Sequence, residues 1–327
     1  MKRRRMGKNG RRFGWLLGII FFCLLLFLAE EQGVFDDAFS LPPAEQGGSP
    51  ASAAVDAEPP EGLEVYFLDV GQGDSELIRI PSGDGVFCAL IDTGEYAYAD
   101  RLTNALRSLG VERIDALICS HPHTDHMGCM ARIVQRFEIG EVYLPRIPDE
   151  QVPTTSAYEA LLNALERKHL TAVELHSGTE ISCPEGAELQ VLAPREGEAW
   201  EDLNNYSGVL RLTYGENAFL FTGDAEKGSE AHILEDGADV SADVLKCGHH
   251  GSRTSTSAKF LKAVNPRYTV ISCGLENDYG HPHKETMEKL NRLGTVIYRT
   301  DTEKTILAKS DGTRIAFTTG LTLMETE

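Results

Sequence analysis

Hydrophobic residues fall along this chain in three regimes. Positions 13–29 read FGWLLGIIFFCLLLFLA, an apolar run without a charge; positions 30–61 are rich in Pro, Ala, Gly, Ser and acids; from 62 to 327 short apolar blocks alternate with polar turns. In this last stretch the blocks predict strands at 64–70, 75–80, 86–91, 116–120, 141–144, 188–192, 208–214, 218–222, 243–246, 269–272, 295–298 and 314–318. Helical patterning predicts helices at 98–109, 127–137, 157–168, 227–234, 258–263 and 284–293. Strands come first and then strand and helix alternate. That order predicts an α/β fold with two mixed sheets inside and helices outside, a four-layer αββα sandwich. A doubly wound sheet fits less well, because Gly71, Gly73, Gly83 and Gly85 follow strands without opening a helix.

The first 29 residues have a separate logic. Seven Lys and Arg precede the 17-residue apolar run, the order of an export signal or membrane anchor. The run is at the short end for a spanning helix and longer than most cleaved signals, so an uncleaved anchor is expected. The basic flank would stay in the cytoplasm, placing the rest outside it, or the body is secreted if the segment is cleaved. Residues 30–61 read as a flexible tether and 62–327 as one hydrolase-sized domain.

With 42% hydrophobic and 25% charged residues the chain is neither disordered nor a polytopic membrane protein. From Glu30 on it holds 24 Lys and Arg against 50 Asp and Glu, a net charge of −26. Such a surface repels phosphate backbones at long range, which argues against a sequence-blind nucleic-acid coat protein. Of the seven cysteines none form a CxxC pair, and those in the body sit in or beside apolar runs, as small buried hydrophobes do.

The chemistry concentrates in histidine. Seven of ten histidines lie in three clusters: His121, His123 and His126; His249 and His250; His281 and His283. The first, SHPHTDH, follows an apolar block, so His121 and His123 leave a strand end pointing one way while Asp125 and His126 open the next helix. Imidazoles and a carboxylate so placed suit Zn, Mn or Fe, and two adjoining sets suit a metal pair. Asp224 follows the strand block at 218–222 across a glycine, a place where an N-cap is the ordinary reading. His249 and His250 stand between Gly248 and Gly251, a pattern packing does not explain. Asp69, Asp74 and Asp92 could accept the outer N–H of ligating imidazoles. His169, His176 and His232 have no partners in sequence and read as surface residues.

Together HPHTDH, TGDAE and KCGHHGS resemble the metallo-β-lactamase-fold hydrolases. DVGQGDS, IDTG, NNYSGVLRL and YGHPH narrow the resemblance to the hydrolase domain of the competence DNA-uptake family ComEC, over about residues 63–308. The resemblance implies two divalent ions, Zn or Mn. His121 and His123 would hold one, Asp125, His126 and His249 the other, with Asp224 bridging. Asn204 to Ser207 stand where the lactamase-like pattern supplies a third histidine, which implies a weaker first site or a preference for Mn. Asp125, His250 and His283 would face the reaction, with Ser252 as a further oxyanion partner, and Lys246, Arg253, Lys259 and Lys262 would add positive charge. The implied substrate is a phosphodiester, with extracellular DNA as first candidate. A phosphorylcholine-type or other envelope phosphodiesterase is the rival, and a vestigial scaffold is the reading from another class. ComEC itself carries a many-helix channel, so the resemblance implies no transport role.

Overall fold

The structure, a computed structural model, describes residues 61–83 and 85–324. The expected anchor and tether lie outside the described residues; among those described, no helix is long and apolar enough to cross a membrane.

Strand alternation builds the layers. In β1 (Leu63–Phe67), Leu63, Val65 and Phe67 point to one side and Tyr66 to the other; in β2 (Glu76–Ser82), Ile78 and Ile80 take the first side and Leu77 the second. The same period of two runs through β3 (Gly85–Ile91). Next come β4 (Arg113–Ile118), β5 (Glu138–Pro145), β6 (Ala172–Leu175), β7 (Glu180–Ile181), β8 (Ala187–Ala193), β9 (Val209–Tyr214) and β10 (Asn217–Phe221). The last five are β11 (Val244–Lys246), β12 (Tyr268–Ile271), β13 (Val296–Arg299), β14 (Thr305–Ser310) and β15 (Ile315–Leu321).

One sheet has the order β15-β14-β1-β2-β3-β4-β5-β6, the other β13-β12-β11-β10-β9-β8-β7. Each joins an antiparallel part to a parallel part: β3 to β6 run parallel in the first, and β10 to β13 in the second. The sheets face each other across a core of Phe67, Ile78, Ile91, Leu212, Phe219 and Phe221. Helices cover both outer faces. α1 (Ala99–Ser108), α3 (Met130–Arg136) and α4 (Ser156–Lys168) lay Leu102, Leu106, Ile133, Val134, Leu161 and Leu165 on the first sheet, preceded at α2 (Thr124–Met127) by one short turn. α5 (Lys227–Glu235), α6 (Ala258–Val264) and α7 (Lys284–Leu293) bring Ile233, Phe260, Leu261 and Leu290 to the second. Leu102 and Leu106, like Leu161 and Leu165, stand four residues apart, the spacing of one helix face.

All twelve expected strands and six expected helices are present, with the 127–137 helix broken into α2 and α3. Three strands were not expected: β6, β7 and β14. β14 is central, paired with β1 on one edge and β15 on the other. The loops after β3, β4, β10, β11 and β12 leave the carboxyl ends of these strands and carry the polar motifs, the position where α/β sheets place ligand sites.

Candidate metal centre

The loop after β4 carries His121 and His126, both fully buried, with half-buried His123 and Asp125 between. Its backbone is tied down: Thr93 N and Oγ1 donate to His126 O, and Asp74 N donates to Asp125 O at 3.2 Å. Gly73 makes that approach possible. At φ +152° a Cβ there would sit 2.3 Å from Asp125 O, so any side chain would push the two loops apart.

His126 Nδ1 lies 2.8 Å from Asp92 Oδ2, and Asp92 also accepts from Ser120 N at 2.7 Å and Ser120 Oγ at 2.6 Å. The carboxylate fixes the proton on Nδ1 and leaves Nε2 aimed inward. His250, on the loop after β11, is arranged alike: Nδ1 is 3.0 Å from the acceptor Ser272 O and 3.2 Å from Asp74 Oδ1. Asp74 in turn accepts from Lys246 Nζ at 2.7 Å, both side chains being buried.

The inward atoms meet at Asp224. Its Oδ1 is 3.2 Å from His126 Nε2 and its Oδ2 is 3.6 Å from His250 Nε2, while Asp125 Oδ2 is 3.3 Å from His250 Nε2. One ligand atom each from Asp125, His126, Asp224 and His250 falls within 4.8 Å of all the others. Yet His126 Nε2, His250 Nε2 and Asp224 Oδ1 are buried and make no hydrogen bond. Lone pairs facing one another in a buried site need a proton or a cation between them, and two Asp with two His is a donor set for Zn or Mn. Asp224 is not the N-cap of α5; Glu226 is.

The remaining expected ligands gather near Asp224 Oδ2. His121 Nε2 faces His123 Nδ1 at 2.9 Å and lies 3.9 Å from Asp224 Oδ2; His249 Nε2 is 3.5 Å from the same oxygen. Here the nearest supports are hydroxyls: Ser120 Oγ is 3.1 Å from His121 Nδ1, and Thr254 Oγ1 is 3.3 Å from His249 Nδ1, with Glu226 Oε1 farther off at 3.7 Å. Asn204 lines the same cavity, of about 410 Å³, and its buried Oδ1 has no hydrogen-bond partner.

His249 and His250 both bring Nε2 toward Asp224 Oδ2, at 3.5 and 3.6 Å, but it is His250 whose Nε2 also joins Asp125 and His126. Both residues adopt left-handed backbone, φ 49° and 53°, which costs on the order of 1–2 kcal/mol each outside glycine and turns consecutive side chains in different directions. His283 does not line the cavity. It is the N-cap of α7, and its Nδ1 accepts Arg253 N–H at 3.1 Å. His281 lines the cavity instead, with Nδ1 3.4 Å from Gln72 Nε2. Ser252 Oγ is engaged with Thr254 Oγ1 at 3.0 Å. Lys246 adds no charge to the cavity, being buried in its pair with Asp74. Of the three backing aspartates, Asp92 and Asp74 reach imidazoles, whereas Asp69 accepts Gly71 N–H at 3.3 Å. His232 is half-buried on Glu198 and Trp200 rather than free on the surface.

Comparison with known proteins identifies the family. The family model of the metallo-beta-lactamase superfamily matches residues 68–275. This chain belongs to the metallo-beta-lactamase superfamily. The superfamily's members are generally metal-dependent hydrolases. ComE operon protein 3 of Bacillus subtilis (strain 168) is 30% identical over 259 residues, covering 74% of this chain and 32% of the relative. Competence protein ComA of Neisseria gonorrhoeae is 32% identical over 248 residues, covering 75% and 32%. The chain thus spans about a third of the length of these curated relatives. Among solved structures, the CmlA beta-hydroxylase E377D mutant aligns with a TM-score of 0.48 at 17% identity, over 78% of this chain and 55% of that one, a likeness that speaks to neither activity nor ligand.

In this superfamily member burial and charge oppose each other at the centre. Burial raises the Asp224 carboxyl, but His126 and His250 outweigh it and hold it well below the carboxylate range. Burial lowers the His250 imidazole, but Asp224 and Asp74 push it up to about 10. His126 is likewise raised against burial, by Asp224 and Asp92. His121 moves the opposite way, well down, through burial and then the charge of His126. Sequence reasoning missed Glu76, whose buried carboxyl is pushed well up by desolvation and then by Asp74. It also missed Gln72, which stands between two glycines of DVGQGDS and accepts Gly274 N–H through Oε1 at 3.1 Å.

Proposed function

We propose that this protein is a two-metal phosphodiesterase acting on nucleic acid. One observation carries the reading: His126 Nε2, His250 Nε2 and Asp224 Oδ1, all buried and without hydrogen bonds, converge with Asp125 beside an open cavity. Asp125, His126, His250 and Asp224 would hold one ion, and His121, His123 and Asp224 the other, with His249 and Asn204 beside it. Divalent ions bound there supply an acidified water and offset the charge of a phosphoryl group.

The chain's own residues supply the rest. Asp92 and Asp74 keep the outer nitrogens of His126 and His250 protonated, so that the inner nitrogens remain donors. His281, pushed down to about 4 by burial and then by His250 and His249, stays neutral at physiological pH and can hydrogen-bond substrate. Relatives named for competence favour nucleic acid over a cell-envelope ester as substrate. The acidic body leaves the approach of a polyanion to local positive charge.

The test is hydrolysis of bis(p-nitrophenyl) phosphate by chelator-treated protein to which Mn or Zn is returned. Turnover that appears only with metal supports the reading. No turnover with any divalent metal, alongside unchanged circular dichroism, leaves a scaffold.

A further inference from the structure

Beside the metal centre lies a groove of about 540 Å³ whose walls include Lys227, Arg253, Thr254, Ser257, Lys289 and Arg292. Glu285 and Glu288 also line it, Glu288 with Lys284 as its partner at 3.4 Å. Among the described residues, the charged ends of Lys227, Arg253 and Arg292 make no ion pair or hydrogen bond, whereas Arg79, Arg113, Arg195, Arg211 and Arg299 each sit on a carboxylate. On a body of net charge −26, four cations lining one groove make a local patch of positive charge. Lys289 Nζ is held in the groove floor by Ser255 O and Thr256 O at 3.0 and 2.6 Å, a fixed positive charge.

The groove continues the ligand loop. Arg253 N–H is given to His283, Thr254 Oγ1 touches His249 Nδ1, and Lys227 N donates to Thr254 O at 3.2 Å. At the metal cavity itself stands Tyr279, 66% exposed, its ring stacked on His281 at 5.6 Å and 18°. The loop that presents this ring leads straight into α7, which carries Lys289 and Arg292. A charged groove that follows a backbone and an exposed ring that receives a base are together the apparatus of single-strand binding.

We propose that the groove and Tyr279 form a path for a single-stranded polynucleotide across the metal centre, with phosphates along Lys227, Arg253 and Arg292 and a base on Tyr279. For what is done to the strand, this rests on the phosphodiesterase reading above. The strand's binding does not depend on it.

Binding of a fluorescein-labelled, hydrolysis-resistant phosphorothioate strand to the metal-loaded full chain is followed by anisotropy against salt. The triple variant Lys227→Glu, Arg253→Glu, Arg292→Glu, with metal content and melting temperature preserved, is expected to bind at least about ten-fold more weakly. Its slope of log Kd against log salt should fall by about 2, near 0.7 for each phosphate that is no longer neutralised. Tyr279→Phe should bind as wild type and Tyr279→Ala about ten-fold more weakly, as removal of one stacked base predicts. The proposal is overturned if the wild type fails to bind at low salt, if the triple variant keeps affinity and slope, if Tyr279→Ala binds as wild type, or if the duplex binds more tightly than the strand. Hydrolysis of the chromogenic ester, read separately, decides the chemistry alone.

Discussion

Two groups of histidines around Asp224 have different support. On one side His126 and His250 are each backed by a buried carboxylate, Asp92 and Asp74, and their inner nitrogens converge with Asp125. On the other, His121 and His249 meet the hydroxyls of Ser120 and Thr254, the Glu226 carboxylate stands farther from His249 at 3.7 Å, and His123 is half-buried. A carboxylate fixes the tautomer and raises the basicity of an imidazole more than a hydroxyl does. The protein therefore has one pocket of strongly supported donors and one adaptable neighbour, and Asp224 would serve both. Asymmetry of this kind suits a centre in which one ion is resident and the other comes with, or is tuned by, substrate.

The strongest way to break the comparison is to remove what the two sides share. Asp224→Ala is expected to lower metal-dependent turnover by on the order of 10³-fold or more, with loss of bound metal by elemental analysis. Retained metal would remove Asp224 from the centre.

The next effect sharpens the carboxylate-backed side. Lys246→Met leaves the buried Asp74 carboxylate uncompensated beside Glu76 and should destabilise the fold by about 3–5 kcal/mol, read by urea denaturation. Adding Asp74→Asn to it should recover part of that stability; independent, additive effects would show that the pair does not act as a unit.

Milder still, Asp92→Asn and Asp74→Asn should weaken metal affinity by about 10–100-fold, as removal of a carboxylate behind a ligating histidine does. Ser120→Ala and Thr254→Ala should weaken it by less than their carboxylate counterparts. Equal weakening on both sides would erase the distinction.

The smallest effect is one of pH. In chelated protein His250 titrates near 10 against an unfolded value of about 6.5, so its stabilisation is complete below about 6.5 and is lost as pH rises through about 10. Chelated protein should thus lose melting temperature across that window. Metal-loaded protein, with ions in place of the protons, should lose less; superimposable profiles would contradict a cation at these nitrogens.

Much of this was legible in sequence. His121, His123, Asp125, His126 and Asp224 stand in local patterns that fix both chemistry and position, and the structure gathers all five. The division between His249 and His250 was not legible, because it depends on how two consecutive left-handed residues aim their rings, a property of the packed turn. His283 and His281 lie two positions apart, and only the helix that His283 caps turns it away from the cavity. Lys246 looked like surface charge because its partner Asp74 is 172 positions away. β14 was hidden for a related reason. TILAKS has three adjacent apolar residues between polar ones, and only the distant strand β1 makes it central.

Anomalous scattering from crystals soaked in Mn tests the central claim most directly. The account predicts a peak bounded by Asp125, His126, Asp224 and His250, stronger than any beside His121 and His123. No peak among those four residues, with their side chains hydrogen-bonded to one another instead, would contradict it.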